Sequence, residues 1–234
     1  MRLHRFLIDQ ALTNGSLRIT EKDLLHQWQH VLRLKAGDSV ILLDGQDHEA
    51  DAVIESINPT SASLIISHLR DVTSEPKRHV RLYCAVLQRG NMELVVQKAT
   101  EVGVKEIVPI ITARTVKTGL KMERFQKIMR EAVEQCGRGV MPVLSEPTDF
   151  THALQTSALL PLNIFFHVGE EDVSWIDRVK KSSHVSVWVG PEGGWTDEEV
   201  SAAQKRGFLI GSLGSLALRA ETAAITAAHL ASFL

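Results

Sequence analysis

Two short segments carry the residue types and spacings that can do chemistry. The first is VSVWVGPEGGWTDEEV, residues 185–200. An apolar strand-like run ends at Gly190, and a loop of Pro191, Glu192, Gly193 and Gly194 follows. Thr196 and Glu199 then form a T-x-x-E capping box that marks a helix start. Glycines in such a loop let a ligand approach the backbone and meet its N–H groups. In α/β sheets the C-terminal ends of strands are where ligands bind. The spacing fits neither G-x-G-x-x-G nor a P-loop, and no G-K-[ST] follows, so the loop need not hold a phosphate. Taken as structure alone, the same residues describe a plain strand-to-helix turn. The second segment is LGSLALRAETAAITAAHL, residues 213–230. Another strand end meets Gly214, and Arg219, Glu221 and Thr222 lead into a small-residue helix. Ala223, Ala224, Ala227 and Ala228 there suit close packing in a core or at a subunit interface.

These segments need a frame to hold them. From residue 80 onward, apolar runs alternate with helical patterns. VRLYCAVLQ, VKEIVPIIT, LNIFFHV, HVSVWVG and FLIGSLG read as strands, and MELVVQKATEVG reads as a helix closed by Gly103. MERFQKIMREAVEQCG is an amphipathic helix with Phe125, Ile128, Met129, Ala132 and Val133 on one face. This alternation predicts an α/β domain with a mainly parallel sheet. The first seventy or so residues differ. RLKAGDSVILLDG, DHEADAVIESI and SASLIISHL are short alternating runs with Asn58 and Pro59 between two of them. One short helix, EKDLLHQWQHVL with Thr20 as its N-cap, interrupts them. Closely spaced short strands predict a small barrel. The polar stretch VTSEPKRH, residues 72–79, separates the two patterns. The expected domains are therefore 1–72 and 77–234.

The chain of 234 residues is long enough for one or two domains. Its 44% hydrophobic and 23% charged content is that of a globular protein. The N-terminus, MRLHRFLIDQ, lacks the apolar region of a signal peptide. The longest apolar stretch is broken by Pro161 and Asn163, so no membrane span is expected. Cys84 and Cys136 are the two cysteines and have no partners at metal-ligand spacing, so neither a disulfide framework nor a metal site is expected. A cytoplasmic location follows. The net charge of −2 hides an asymmetry: residues 77–150 hold 13 Lys and Arg against 8 Asp and Glu, a balance of +5. A basic middle suits a phosphate-facing surface, and equally a solvated helix face.

The pattern G-P-E-G-G-W-T-x-x-E followed by L-G-x-x-x-L-R-x-E-T-A resembles the bacterial 16S ribosomal RNA uridine-N3 methyltransferase family of the SPOUT superfamily. QKATEVGVKEIVPIITARTV (97–116) and REAVEQCGRGVMPVL (130–144) resemble further stretches of that family. RFLID, HVLRLKAGDSVILLDG and HEADAVI resemble its small PUA-like β-barrel. The likeness runs nearly the full length, with the motifs in order. It implies a SPOUT-type knotted parallel-sheet domain, with a C-terminal trefoil knot in about 185–234, preceded by an RNA-binding PUA-like barrel. It also implies a homodimer, S-adenosyl-L-methionine as cofactor, and 16S rRNA of the small ribosomal subunit as substrate, methylated at U1498.

The resemblance assigns the cofactor to three strand-end loops: Val168 and Gly169; Gly190, Pro191, Glu192, Gly193 and Gly194; and Leu213, Gly214 and Leu218, with Thr222 beyond. Uracil N3 must lose a proton, and the resulting charge spreads onto the flanking oxygens. Arg219 is the candidate to stabilise that charge and Glu221 the candidate base. The two residues could equally pair with each other at the helix start. Candidate phosphate contacts are Arg5, Arg33, Lys35, Arg89, Arg114, Lys117 and Arg138, the last within the E-Q-C-x-R match. Trp195 is expected to be an exposed stacking platform, and Trp188 to lie in the core. His30 lies near the barrel motif, and a lone histidine is more often structural. One departure is plain: where the family carries arginine and isoleucine, this chain has Leu216 and Ala217. Two further readings stay open, a SPOUT methyltransferase acting on transfer RNA and a non-catalytic RNA-binding ribosome assembly factor.

Overall fold

The computed structural model describes residues 3–116, 119–157, 161–169 and 173–234, with Arg89 described in its backbone alone. The chain divides into two compact units, Met1–Glu75 with Val133–Val140, and Pro76–Ala132 with Met141–Leu234.

Among the described residues, the first unit has a five-stranded sheet of β1 (Arg5–Leu7), β2 (Gly15–Ile19), β3 (Ser39–Leu43), β4 (His48–Asn58) and β5 (Ser61–Asp71). Their order is β1-β3-β4-β5-β2, parallel between β1 and β3 and antiparallel elsewhere. The β4–β5 turn falls at Asn58, whose side-chain oxygen accepts from the backbone N–H of Thr60 and of Ser61 at 2.9 and 3.0 Å. Alternation along β4 buries Ala50, Ala52 and Ile54, and these join Phe6, Ile19, Leu42 and Leu64 around Trp28. The helix α1 (Lys22–His26) begins one residue later than expected, with Glu21 rather than Thr20 at its N-cap. It continues as a π turn, Gln27–Val31, in which Leu32 N–H donates to Gln27 O five residues back. That wider turn carries Trp28, fully buried. Residues 133–140 are bound into this unit by Leu7 N–H to Glu134 at 3.0 Å and Asp47 N–H to Gly139 O at 3.0 Å.

The second unit follows the expected alternation: β6 (His79–Ala85), α2 (Arg89–Glu101), β7 (Glu106–Ile111), α3 (Met122–Cys136), β8 (Val143–Leu144), β9 (Thr148–Asp149), α4 (Phe150–Ser157), β10 (Asn163–Phe166), α5 (Trp175–Lys180), β11 (His184–Val189), α6 (Asp197–Lys205), β12 (Leu209–Gly211) and α7 (Ala220–Phe233). The strands form one sheet, ordered β12-β10-β11-β6-β7-β8 with β9 also on β7, and every described pair is parallel. Period two divides its residues between two cores. Val80, Leu82, Cys84, Val185, Val187, Val189, Ile164 and Phe166 face the buried sides of α2, α3, α5 and α7. Tyr83, Ala85, Val108, Ile110, Phe165 and Trp188 share the other core with Phe150 and Leu154 of α4 and Ala203 of α6. The central strands are predominantly apolar because both faces are covered. All five predicted apolar residues of α3, from Phe125 to Val133, are buried.

Trp188 centres the second core. Its ring lies 3.8 Å from that of Tyr83 at an interplanar angle of 6°, and its Nε1 donates to Asn163 at 3.1 Å. At the start of β7, burial alone would raise the pKa of Glu106, but bonds from Arg81 and His79 outweigh it and hold the carboxylate below its ordinary range. Trp188→Ala should cost about 3–5 kcal/mol in urea unfolding, since a large cavity opens in a covered core. A depressed carboxylate contributes stability above its ordinary range and loses it as pH falls. Glu106→Gln should therefore flatten the acid limb of stability against pH, below about pH 4, in melts recorded across pH.

Candidate active site

Parallel pairing decides where the site lies. β12, β10 and β11 are adjacent and run the same way, so the residues after Gly211, Phe166 and Val189 emerge at one edge. Direct bonds join these ends. His167 N–H donates to Gly211 O at 3.2 Å, and Trp195 Nε1 donates to Phe166 O at 2.9 Å. Trp175 Nε1 donates to Ser212 O at 3.0 Å. Val168 is exposed and Gly169 has φ +95°, while Gly214 has φ +118° and Leu216 is exposed.

The glycine loop is a tight turn, with Gly194 N–H donating to Pro191 O at 2.8 Å. Its three glycines have different reasons to be there. Gly194 sits at φ +70°, a left-handed conformation that disfavours a side chain. A Cβ on Gly190 would fall 3.0 Å from the Trp195 ring. A Cβ on Gly193 would meet only the Arg114 side chain, at an ordinary 3.4 Å, and its φ is not left-handed. Protein packing therefore leaves room for a small side chain at Gly193, and its backbone is open to a ligand. The capping box is present: Glu199 N–H donates to Thr196 Oγ1 at 3.3 Å, and Thr196 N–H donates to Glu199 at 2.9 Å. Trp195 is not the exposed platform expected of it. It is 4% exposed and stacks on Phe165 at 4.2 Å, because its ring joins the second core once the loop folds back.

Arg219 is the N-cap of α7, in extended conformation and exposed. Among the described residues it pairs with nothing, Glu221 included, so no salt bridge consumes it. Glu221 is 9% exposed and its Oε2 is buried without a hydrogen-bond partner. An unpartnered buried carboxylate oxygen is costly unless something else satisfies it. Leu218 is half-buried and Thr222 exposed beside them. The Cys84 thiol, at the end of β6, is pushed up to about 12 by burial and by the nearby Glu192 charge, so it is no nucleophile at neutral pH. Among the described residues, no cluster of three or more His, Cys, Asp or Glu could hold a metal ion.

The candidate RNA contacts fall into distinct environments. Arg33 and Lys35 are exposed in the first unit, and Arg33 has φ +57°. His30 is exposed there too, its ring 4.8 Å from that of His26. Arg5 is half-buried and faces Glu49 at 3.6 Å. Arg138 does not fit a phosphate contact. It is 4% exposed, and its Nε and Nη2 donate to Glu75 at 2.9 and 3.1 Å, so its charge is neutralised inside the unit. Arg114 donates from Nη1 to Gly193 O at 2.7 Å and Trp195 O at 3.1 Å. The Arg89 side chain and Lys117 lie outside the described residues. Gln88 was not anticipated: its backbone N–H donates to Glu192 at 3.1 Å, tying the glycine loop to the start of α2. A backbone donor leaves no mark in residue type.

Comparison with known proteins agrees along the chain. Residues 73–232 match the family model of the RNA methyltransferase domain, and residues 29–67 match that of the RNA methyltransferase PUA domain. Ribosomal RNA small subunit methyltransferase E of Rickettsia conorii is 32% identical over 233 residues, 97% of this chain and 94% of its own. A Legionella pneumophila protein described as a methyltransferase, solved in complex with bound S-adenosylmethionine, superposes with a TM-score of 0.89 at 30% identity, covering 99% of this chain and 97% of its own. Ribosomal RNA small subunit methyltransferase E of Neisseria gonorrhoeae, solved with S-adenosylmethionine, gives a TM-score of 0.89 at 26% identity, covering 97% and 95%. With an N-terminal PUA-like domain and a parallel-sheet methyltransferase domain, the chain belongs to the RNA methyltransferase family of ribosomal RNA small subunit methyltransferase E.

Proposed function

We propose that the protein transfers the methyl group of S-adenosylmethionine to N3 of a uridine in 16S ribosomal RNA of the small subunit, the family's U1498, as a cytoplasmic homodimer. The observation that carries the reading is the buried, unpartnered Glu221 carboxylate oxygen, in the first turn of the helix that follows the three joined strand ends. No helix among the described residues is long and apolar enough to cross a membrane. The trefoil knot implied for 185–234 belongs to the same reading. It is supported by the match to the RNA methyltransferase domain over residues 73–232.

The residues present suit the cofactor. Backbone groups of Val168, Gly169, Gly190, Pro191, Glu192, Gly193, Gly194, Leu213, Gly214 and Leu218 would hold it, with Thr222 beside them, and the open approach at Gly193 agrees with that role. When bound, its sulfonium carries a methyl group that is already electrophilic. Glu221 accepts the N3 proton, or orients a water that does, and its burial keeps it from being satisfied by bulk solvent. Arg219, exposed and without a partner among the described residues, offers an uncommitted cation to the charge that develops on the uracil oxygens. The loops align the nitrogen with the bond to be broken. Arg33 and Lys35 serve the phosphate backbone from the PUA-like unit. A second reading, an RNA-binding factor without catalysis, is favoured by exposed Leu216, where the family carries arginine.

Labelled S-adenosylmethionine supplied with small subunits from a strain lacking the gene should yield N3-methyluridine at a single site by mass spectrometry. No incorporation into subunits or free RNA, by folded protein that binds the cofactor, would reject the enzyme reading and favour the second. Arg219→Ala should cut turnover by roughly a hundredfold or more while leaving cofactor affinity nearly intact. Unchanged turnover removes it from the catalytic residues. Gly193→Val should weaken cofactor binding in calorimetry, because a branched side chain crowds the backbone approach.

A further inference from the structure

We infer that Arg114 is a positioning residue that presets the glycine loop, and is not a phosphate contact; this rests on the reading that the loop holds the cofactor. Arg114 stands on a braced turn at the end of β7. Thr115 N–H donates to Thr112 O at 3.1 Å, and Thr112 N–H donates to Thr115 Oγ1 at 2.9 Å. From that base, Arg114 Nη1 reaches two carbonyls of the loop, Gly193 O at 2.7 Å and Trp195 O at 3.1 Å. Its aliphatic stem lies along Gly193, where a Cβ would meet Cδ at 3.4 Å.

The neighbouring residue grips the same segment. Ala113 N–H donates to one Glu199 oxygen at 3.0 Å, while the other oxygen accepts from Thr196 N–H at 2.9 Å. Two consecutive residues of one turn thus hold both the loop and the helix start beyond it. On the far side, Glu192 is tied to Gln88 and Trp195 to Phe166. One Arg114 bond falls on Gly193, the first of two consecutive glycines between these anchors, and the other on Trp195, where the pair ends. Glycine pairs lose the most conformational freedom on ordering, so an unclamped loop would have to be ordered at the cofactor's expense. A charge-assisted bond to each of two carbonyls supplies that order beforehand. It also commits Nη1, on an otherwise exposed side chain, to the loop.

The test measures two affinities for each variant: S-adenosylmethionine by calorimetry without RNA, and a 16S RNA fragment without cofactor at several salt concentrations. Arg114→Ala should weaken cofactor binding about tenfold and leave RNA affinity and its salt slope unchanged. Arg114→Lys, which keeps the charge but not the planar fork, should recover part of the loss. Unchanged cofactor affinity in Arg114→Ala, or RNA binding with a salt slope shallower by about one phosphate, overturns the inference. If Arg114→Ala fails to fold in a thermal melt, the same comparison is made with Arg114→Lys, whose cofactor affinity must then fall below that of the parent. Gly193→Val separates the two levels: if it weakens cofactor binding while the Arg114 variants do not, the clamp alone fails; if neither has an effect, the assignment of the loop to the cofactor fails.

Discussion

Hydrogen bonding between short parallel strands is the constraint from which the site follows. β10, β11 and β12 span four, six and three residues, too few to be stable alone, and each is held by its neighbours in one sheet. Parallel pairing forces all three chains to leave the sheet at the same edge. Segments separated by up to some fifty residues of sequence therefore meet there, and no local property of any one of them specifies the meeting. Because both faces of this sheet are covered, a slip in register would expose apolar side chains or strand backbone groups away from partners.

Two tryptophans, Trp195 and Trp175, brace that edge, and Trp188 braces the opposite end of β10. Each of three buries an indole ring and satisfies its single N–H on a group at or near a strand end. Trp188 bonds Asn163 at the start of β10, Trp195 bonds Phe166 O at its end, and Trp175 bonds Ser212 O beyond β12. Apolar burial supplies the stabilisation and the one directional bond supplies the register. A glycine loop would otherwise be the most mobile part of such an edge. Here it is anchored through Trp195, Arg114 and Glu192, while the backbone at Gly193 stays open and Glu221 Oε2 stays buried without a partner.

Charge is arranged on the same principle. Where ionic groups are structural, they are paired: Arg138 with Glu75, and Arg81 and His79 with Glu106. At the start of α7, Arg219 and Glu221 stand within three residues of each other without pairing. Extended backbone at the N-cap sends Arg219 outward, while helical backbone carries Glu221 under the helix. A pair that had closed on itself would be less available to a substrate.

Much of the fold could be read from order along the chain. Strand and helix periodicities, the Thr196–Glu199 capping box, the buried face of α3 and the apolar strands are local patterns, set by backbone geometry and by which side chains water rejects. The motifs around Gly190 and Arg219 likewise carried the resemblance to the family, because a left-handed turn and a close ring contact each demand glycine. Tertiary structure decided what lies at the far end of a long side chain. An arginine looks the same in sequence whether it meets solvent, as Arg33 does, a buried carboxylate, as Arg138 does, or two loop carbonyls, as Arg114 does. Trp195 looked like a surface residue because it follows two glycines, yet the loop turns its ring onto Phe165. The grouping of residues 133–140 with the first unit was equally invisible, since it rests on contacts with Leu7 and Asp47, far away in sequence. Local pattern fixes which way a residue faces; the partner it finds there depends on chain segments that only folding brings near.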